Sequence, residues 1–212
     1  MRNLTIILII IYTITSGCSR SSDSTEINLE NNLDLTHIKD SIDRHFTLGC
    51  YKQDSTDYKG AIKEYNIVLT YNDNHSFSYG NRGLCKSSTG DYKGAIDDFT
   101  KAIEYSHDYT LAGFHNNRGL AKDKLNDYKG AIDDFNKAME FEIDPGYIFN
   151  NRGISERNAG ELINACRDWR KAVELGYDSN GFLKEYCRKW TPTSSPPSKQ
   201  FQKIILKVLL SL

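Results

Sequence analysis

Asp57-Tyr58-Lys59-Gly60-Ala61-Ile62 recurs as Asp91-Tyr92-Lys93-Gly94-Ala95-Ile96 and again as Asp127-Tyr128-Lys129-Gly130-Ala131-Ile132, at spacings of 34 and 36 residues. A degenerate copy, Glu161-Leu162-Ile163-Asn164-Ala165-Cys166, follows 34 residues further on. Ten residues before each of the last three copies stands Asn-Arg-Gly, at 81–83, 117–119 and 151–153; the first copy has Thr47-Leu48-Gly49 there. Because that offset is constant, the two-residue insertion falls between the second and third units, within about 105–114. A fixed period of this length is the mark of stacked supersecondary units, each burying its apolar face against the next.

Every unit divides into two helical stretches around a polar break. In the second unit these are 78–88, the break Thr89-Gly90-Asp91, and 92–105. Ala95, Ile96, Phe99, Ala102 and Ile103 fall at helical spacing on one face, as do Ala131, Ile132, Phe135, Ala138 and Met139 in the third unit. Small residues recur where two antiparallel helices must approach: Gly49, Gly83, Gly119 and Gly153 on the first, Ala61, Ala95, Ala131 and Ala165 on the second. A larger side chain there would overpack the pair at a cost of about 1–3 kcal/mol.

These residues resemble the tetratricopeptide repeat, a 34-residue helix–turn–helix unit. The matching positions are the first-helix glycine, the alanine opening the second helix, Tyr65/Phe99/Phe135/Trp169 four residues later, and Val68/Ala102/Ala138/Ala172. The likeness covers about residues 42–176; the proline that usually closes a unit is present only as the displaced Pro145, and the fourth turn is degenerate. It implies an all-α chain, a right-handed α-solenoid of about four hairpins at 42–75, 76–111, 112–145 and 146–177. A helix over 178–190, with Phe182, Leu183, Tyr186 and Trp190 on its apolar face, would cap the exposed end and complete a domain of 36–190.

The ends of the chain differ from this middle. Arg2, an apolar run of about nine residues from Leu4, and small residues leading to Cys18 form an export-signal layout at 1–17 that is too short to span a bilayer comfortably. It is similar to the lipobox of bacterial lipoproteins, with Thr15 where leucine is more usual, and implies acylation of Cys18 after cleavage. The alternative is an uncleaved anchor helix with an incidental cysteine. Residues 18–35 read as a polar tether. At the other end, 191–198 (Thr-Pro-Thr-Ser-Ser-Pro-Pro-Ser) is a linker, followed by an amphipathic stretch over 199–212 with Lys199, Lys203 and Lys207 on one stripe. Such a stretch can lie on a membrane, dock in a groove, self-associate, or serve no selected purpose.

Composition excludes several function classes. The 212 residues carry 27 Lys+Arg against 28 Asp+Glu, a net charge of −1, without the basic excess that phosphate contacts need. With 26% charged and 39% hydrophobic residues, the chain is neither disordered by composition nor a multispan membrane protein. The histidines His37, His45, His75, His107 and His115 are not at ligand spacing with cysteines or carboxylates, and His75 and His107 read as solvated loop residues. Asp97-Asp98 and Asp133-Asp134 recur with the repeat, and no phosphate loop, nucleophile elbow or Cys-x-x-Cys is present. The expectation is a protein without catalytic residues, metal or cofactor.

Two co-occurrences stand out inside the repeats. Arg82, Arg118 and Arg152 fall level with Asp98, Asp134 and Asp168 across each hairpin. They read as intra-repeat salt bridges, the competing reading being a ladder of cations for an anionic ligand. If the chain reverses near Gly176-Tyr177, Cys166 and Cys187 are equidistant from the turn on facing helices, as either a disulfide or two buried thiols. Cys50 and Cys85 read as packed free thiols.

The resemblance further implies a concave groove lined by first helices. Its positions here are Phe46, Cys50 and Gln53; Phe77, Leu84 and Ser87; Asn116, Leu120 and Asp123; and Tyr147, Asn150, Ile154 and Arg157. Cys50, Leu84, Leu120 and Ile154 form an apolar stripe that either meets a partner or is ordinary inter-repeat packing. The Lys/Asn clamp of repeats that grip a partner's terminal carboxylate is missing. The layout therefore implies a membrane-tethered adaptor that takes an unidentified protein or peptide segment and no nucleic acid, in the bacterial cell envelope, on the outer membrane facing the periplasm. Tetratricopeptide lipoproteins of similar layout assist outer-membrane, pilus or cell-wall assembly complexes. The alternative is a peptidoglycan or glycan binder using Phe46, Phe77 and Tyr147 as stacking platforms.

Overall fold

The computed structural model describes residues 35–107, 110–142 and 145–187. The stretch 1–17 read as an export signal, Cys18, the stretch up to residue 34 read as a tether, Trp190 and the tail 191–212 lie outside the described residues. Among the described residues the secondary structure is entirely helical: α1 (Leu35–Asp54), α2 (Tyr58–Tyr71), α3 (Ser76–Ser88), α4 (Tyr92–Tyr105), α5 (Thr110–Lys124), α6 (Tyr128–Phe141), α7 (Gly146–Asn158), α8 (Leu162–Glu174) and α9 (Asn180–Tyr186). No described helix is long and apolar enough to cross a membrane. The helices gather into two units, with the boundary between Asn117 and Arg118, inside α5.

The repeated hexapeptide is a helix start. Asp57, Asp91 and Asp127 are N-caps whose carboxylates accept the backbone N–H of Gly60, Gly94 and Gly130 at 2.9, 3.0 and 3.0 Å. The three-residue turn before each start is also a repeated device. Thr56, Gly90, Asn126 and Gly160 hold φ of 65°, 87°, 63° and 84°, and the next N–H returns to a carbonyl five residues back, as from Asp91 to Lys86 at 2.9 Å. Only Gly90 and Gly160 adopt that left-handed backbone freely; the β-branched Thr56 does so under strain.

In the first unit, α1/α2 and α3/α4 are hairpins, and α2 packs on α3. Cys50, Ala61, Tyr65 and Cys85 form a buried cluster, with Phe46, Tyr58 and Ile62 against it. In the second unit, α7/α8 is a hairpin and α6 packs on α7. Ala131, Phe135, Ala138 and Ile148 are buried together, and Ala165, Cys166, Trp169 and Cys187 form a further cluster under Phe182, Leu183 and Tyr186.

The hairpin glycines sit where a ring of the facing helix arrives. A Cβ on Gly49, Gly83, Gly119 or Gly153 would lie 2.6, 2.9, 2.9 or 2.7 Å from the nearest ring atom of Tyr65, Phe99, Phe135 or Trp169. All four rings are fully or almost fully buried. The terminal helix is shorter than its sequence expectation: it starts at Asn180 and ends at Tyr186, with Cys187 as C-cap. Cys187 instead holds the end covalently, in a disulfide to Cys166 with Sγ–Sγ 2.06 Å and Cα–Cα 5.7 Å. Phe182 stacks on Trp169 at 4.9 Å between centroids.

Candidate functional site

Each hairpin carries an almost inaccessible carboxylate on its second helix, and the first helix brings cations to it. In the α3/α4 hairpin Arg82 donates from Nε and Nη2 to Asp98 at 2.9 and 2.6 Å, and Lys86 Nζ stands 2.8 Å from the same carboxylate. Arg118 and Lys122 repeat this on Asp134 at 2.9, 2.6 and 2.7 Å. Arg152 gives Asp168 the same fork at 2.6 and 2.8 Å. The third guanidinium nitrogen of Arg82 donates to Asn66, and that of Arg152 to Asn136. Rings flank the stems: Tyr79 lies under Arg82 at 5.2 Å and Phe149 under Arg152 at 5.3 Å.

These arginines are therefore committed to intramolecular carboxylates in bidentate geometry, the stronger form of ion pair. An incoming anion would have to displace Asp98, Asp134 or Asp168. The first hairpin keeps the carboxylate and changes the cations: Glu64 is held by Lys52 and, at 2.8 Å, by His45 Nδ1. The hydrogen bond from Lys52, and then that from His45, hold the Glu64 carboxyl below its ordinary range. Sequence reasoning missed the lysines. Their signal was a basic residue four positions after the arginine, on the same helix face, at Lys86 and Lys122.

The first-helix residues expected to line a groove have several different fates. In the first unit Cys50 is buried and disulfide-bonded, which corrects its reading as a free thiol. Cys85 is the free thiol, and burial pushes it up to about 12, so it is inert. Phe46 is not an open platform: its ring packs on Tyr65 at 5.9 Å and on His75 at 5.2 Å. Gln53 accepts from the Tyr65 hydroxyl at 2.9 Å. Asn116 is buried, whereas Phe77, Leu84 and Ser87 remain half-buried. His75, expected to be solvated, is the N-cap of α3; it accepts from the Ser78 N–H, and burial lowers its pKa.

In the second unit Leu120 is exposed and Ile154 half-buried against the Trp169 cluster. Asp123 accepts from Ser155 Oγ at 2.6 Å. The Tyr147 hydroxyl donates to Glu142 at 3.1 Å. Asn150, expected to line the groove, is buried instead: its side chain accepts from Ser179 Oγ at 2.8 Å and its carbonyl from Trp169 Nε1 at 3.3 Å. Arg157 lies over the Tyr186 ring at 5.1 Å and donates to its hydroxyl at 3.0 Å, so it anchors the terminal helix. Of the expected groove positions, Phe77, Leu84 and Ser87 of α3 thus keep exposure in the first unit, and Leu120 of α5 does so in the second. No group of three or more metal-ligating side chains converges among the described residues.

This geometry has known relatives. The family profile described as "Tetratricopeptide repeat" matches residues 78–109 and 112–142. No curated protein sequence matches significantly. Among solved structures, the crystal structure of MamA protein superposes with a TM-score of 0.62 at 20% identity, covering 82% of this chain and 92% of that one. MamA 41-end from Desulfovibrio magneticus RS-1 gives 0.60 at 19%, covering 66% and 78%. PilF of Pseudomonas aeruginosa gives 0.57 at 16%, covering 66% and 63%. At such identities the likeness shows the fold alone: an all-α hairpin repeat of tetratricopeptide type.

Proposed function

We propose that this chain is a non-catalytic adaptor that holds a protein segment against the first helices of its hairpins while a lipid on Cys18 tethers it in the bacterial envelope. The observation that carries the binding half is the repeat itself: hairpins that match the tetratricopeptide profile and leave Phe77, Leu84 and Leu120 accessible on their first helices. The arginines are held by their own carboxylates, which favours an apolar and polar partner surface over an anionic ligand. The glycan alternative finds less support, because Phe46 packs on two neighbours and the Tyr147 hydroxyl is hydrogen-bonded.

The test is crosslinking in native membranes with identification of the captured protein, for the wild type and for Leu84→Glu and Leu120→Glu, separately and together. Loss of the same partner with helicity unchanged supports the first-helix surface; unchanged capture by the folded double variant removes it. The tether rests on the sequence layout of 1–18. Mass mapping of the protein from membranes decides: a diacylglyceryl thioether on Cys18 supports the anchor, and a Cys18 without lipid refutes it.

A further inference from the structure

The second basic position of the ion cluster reverses sign in the last repeat. Lys52, Lys86 and Lys122 stand four residues after Leu48, Arg82 and Arg118, but Glu156 stands four residues after Arg152. Where the lysine is present, its ammonium lies 2.8 or 2.7 Å from the Asp98 or Asp134 carboxylate and 3.5 Å from the carbonyl of Gly94 or Gly130. Glu156 enters the equivalent place with a carboxyl group, and it is 6% exposed beside an Asp168 that is 4% exposed.

The charges there do not balance. Arg152 is already forked onto Asp168, and its Nε is 3.9 Å from Glu156 Oε1, beyond hydrogen-bond reach. Glu156 Oε2 has no hydrogen-bond partner among the described residues. The charged groups facing Glu156 are Arg152 on α7, Asp168 on α8 and Glu161 in the turn between them; Asn136 of α6, which is neutral, reaches the cluster through Arg152. One cation therefore faces two buried carboxylates, with a third acid nearby, and an uncompensated buried charge is costly.

We propose that Glu156 and Asp168 share one proton in the folded protein, which gives Asp168 the hydrogen bond that a lysine ammonium gives Asp98 and Asp134. The clamp of the last hairpin is then titratable where those of the second and third are fixed. Burial first, and the Asp168 charge second, push the Glu156 carboxyl from 4.5 up to about 8. The folded chain keeps this proton across a range where the unfolded chain has released it. The stabilisation is complete below pH 4.5, declines as pH rises, and is lost by about pH 8. Inside that window the folding equilibrium constant falls by up to ~10-fold per pH unit.

The test uses the full chain with its disulfides intact. Urea unfolding from about pH 5 to 9 is compared for wild type, Glu156→Gln and Glu156→Lys, and the Glu156 Cδ is followed by NMR in the folded wild type. The expected result is a Cδ midpoint near 8 and a wild-type stability that falls with pH relative to both variants. A midpoint in the ordinary carboxylate range overturns the proposal, as does a wild-type slope that both variants share. Stabilisation of wild type, but not of Glu156→Gln, by added magnesium or calcium at the alkaline end would also overturn it, because the compensating cation would then be a metal. The NMR midpoint needs no variant to fold.

Discussion

One substitution, glycine to alanine, should have opposite signs at two helical positions of the first unit. At Gly83 the added Cβ would stand 2.9 Å from Phe99 Cε1 and 3.1 Å from two further ring atoms. The ring is 1% exposed and belongs to the facing helix, so it cannot swing into solvent. Overpacking of this kind costs about 1–3 kcal/mol. The gain in helix propensity returns about 0.8–1 kcal/mol. The net effect of Gly83→Ala is thus a loss of up to roughly 2 kcal/mol. Gly113 lies inside α5 with nothing within 4 Å of where its Cβ would go. Gly113→Ala should keep the propensity term alone and stabilise by up to about 1 kcal/mol. Urea unfolding followed by circular dichroism reads both, with equal slopes showing that the unfolded states are comparable. If both variants move in the same direction, close approach is not what holds glycine in the hairpin.

Thr56→Gly should stabilise by about 1 kcal/mol, since it relieves a β-branched residue at φ 65°; a destabilised variant in the same unfolding assay would contradict the strain. Reduction of Cys166–Cys187, or its replacement by two alanines, should cost roughly 3 kcal/mol for a separation of 21 residues. It should also red-shift the emission of Trp169 as Phe182 leaves its face, and an unshifted spectrum after verified reduction would refute the covering role of α9.

The hairpins were legible because each is written locally. The hexapeptide supplies cap, glycine and apolar stripe in consecutive positions, and α4 runs over the same residues, 92–105, that the periodicity marks. α3 starts two residues before its expected position of 78, because His75 caps it, and histidine is not an ordinary cap signal. What the sequence hid are contacts between residues far apart in the chain. Asn150 occupies a first-helix position like the others, and only the meeting with Ser179, 29 residues later, removes it from the surface. Lys86 and Lys122 are marked only by standing four residues after Arg82 and Arg118, and that they reach Asp98 and Asp134 emerges when the helices are paired. Cys50 resembled Cys85 in composition and differed in bonding.

The N-cap aspartate and the glycine three residues after it constrain each other's drift. A Cβ on Gly60, Gly94 or Gly130 would lie 2.0, 2.3 or 2.2 Å from the carboxylate of Asp57, Asp91 or Asp127, so the carboxylate would have to shift. A side chain at the glycine therefore changes the geometry of a cap bond worth about 1 kcal/mol. The fourth hairpin shows both positions changed together, to Glu161 and Asn164. There the Asn164 side-chain amide, rather than a backbone N–H, donates to the Glu161 carboxylate at 2.8 Å. Across these four hairpins the two positions change together: three keep the aspartate and glycine, and the fourth joins its two replacements by a side-chain hydrogen bond of its own.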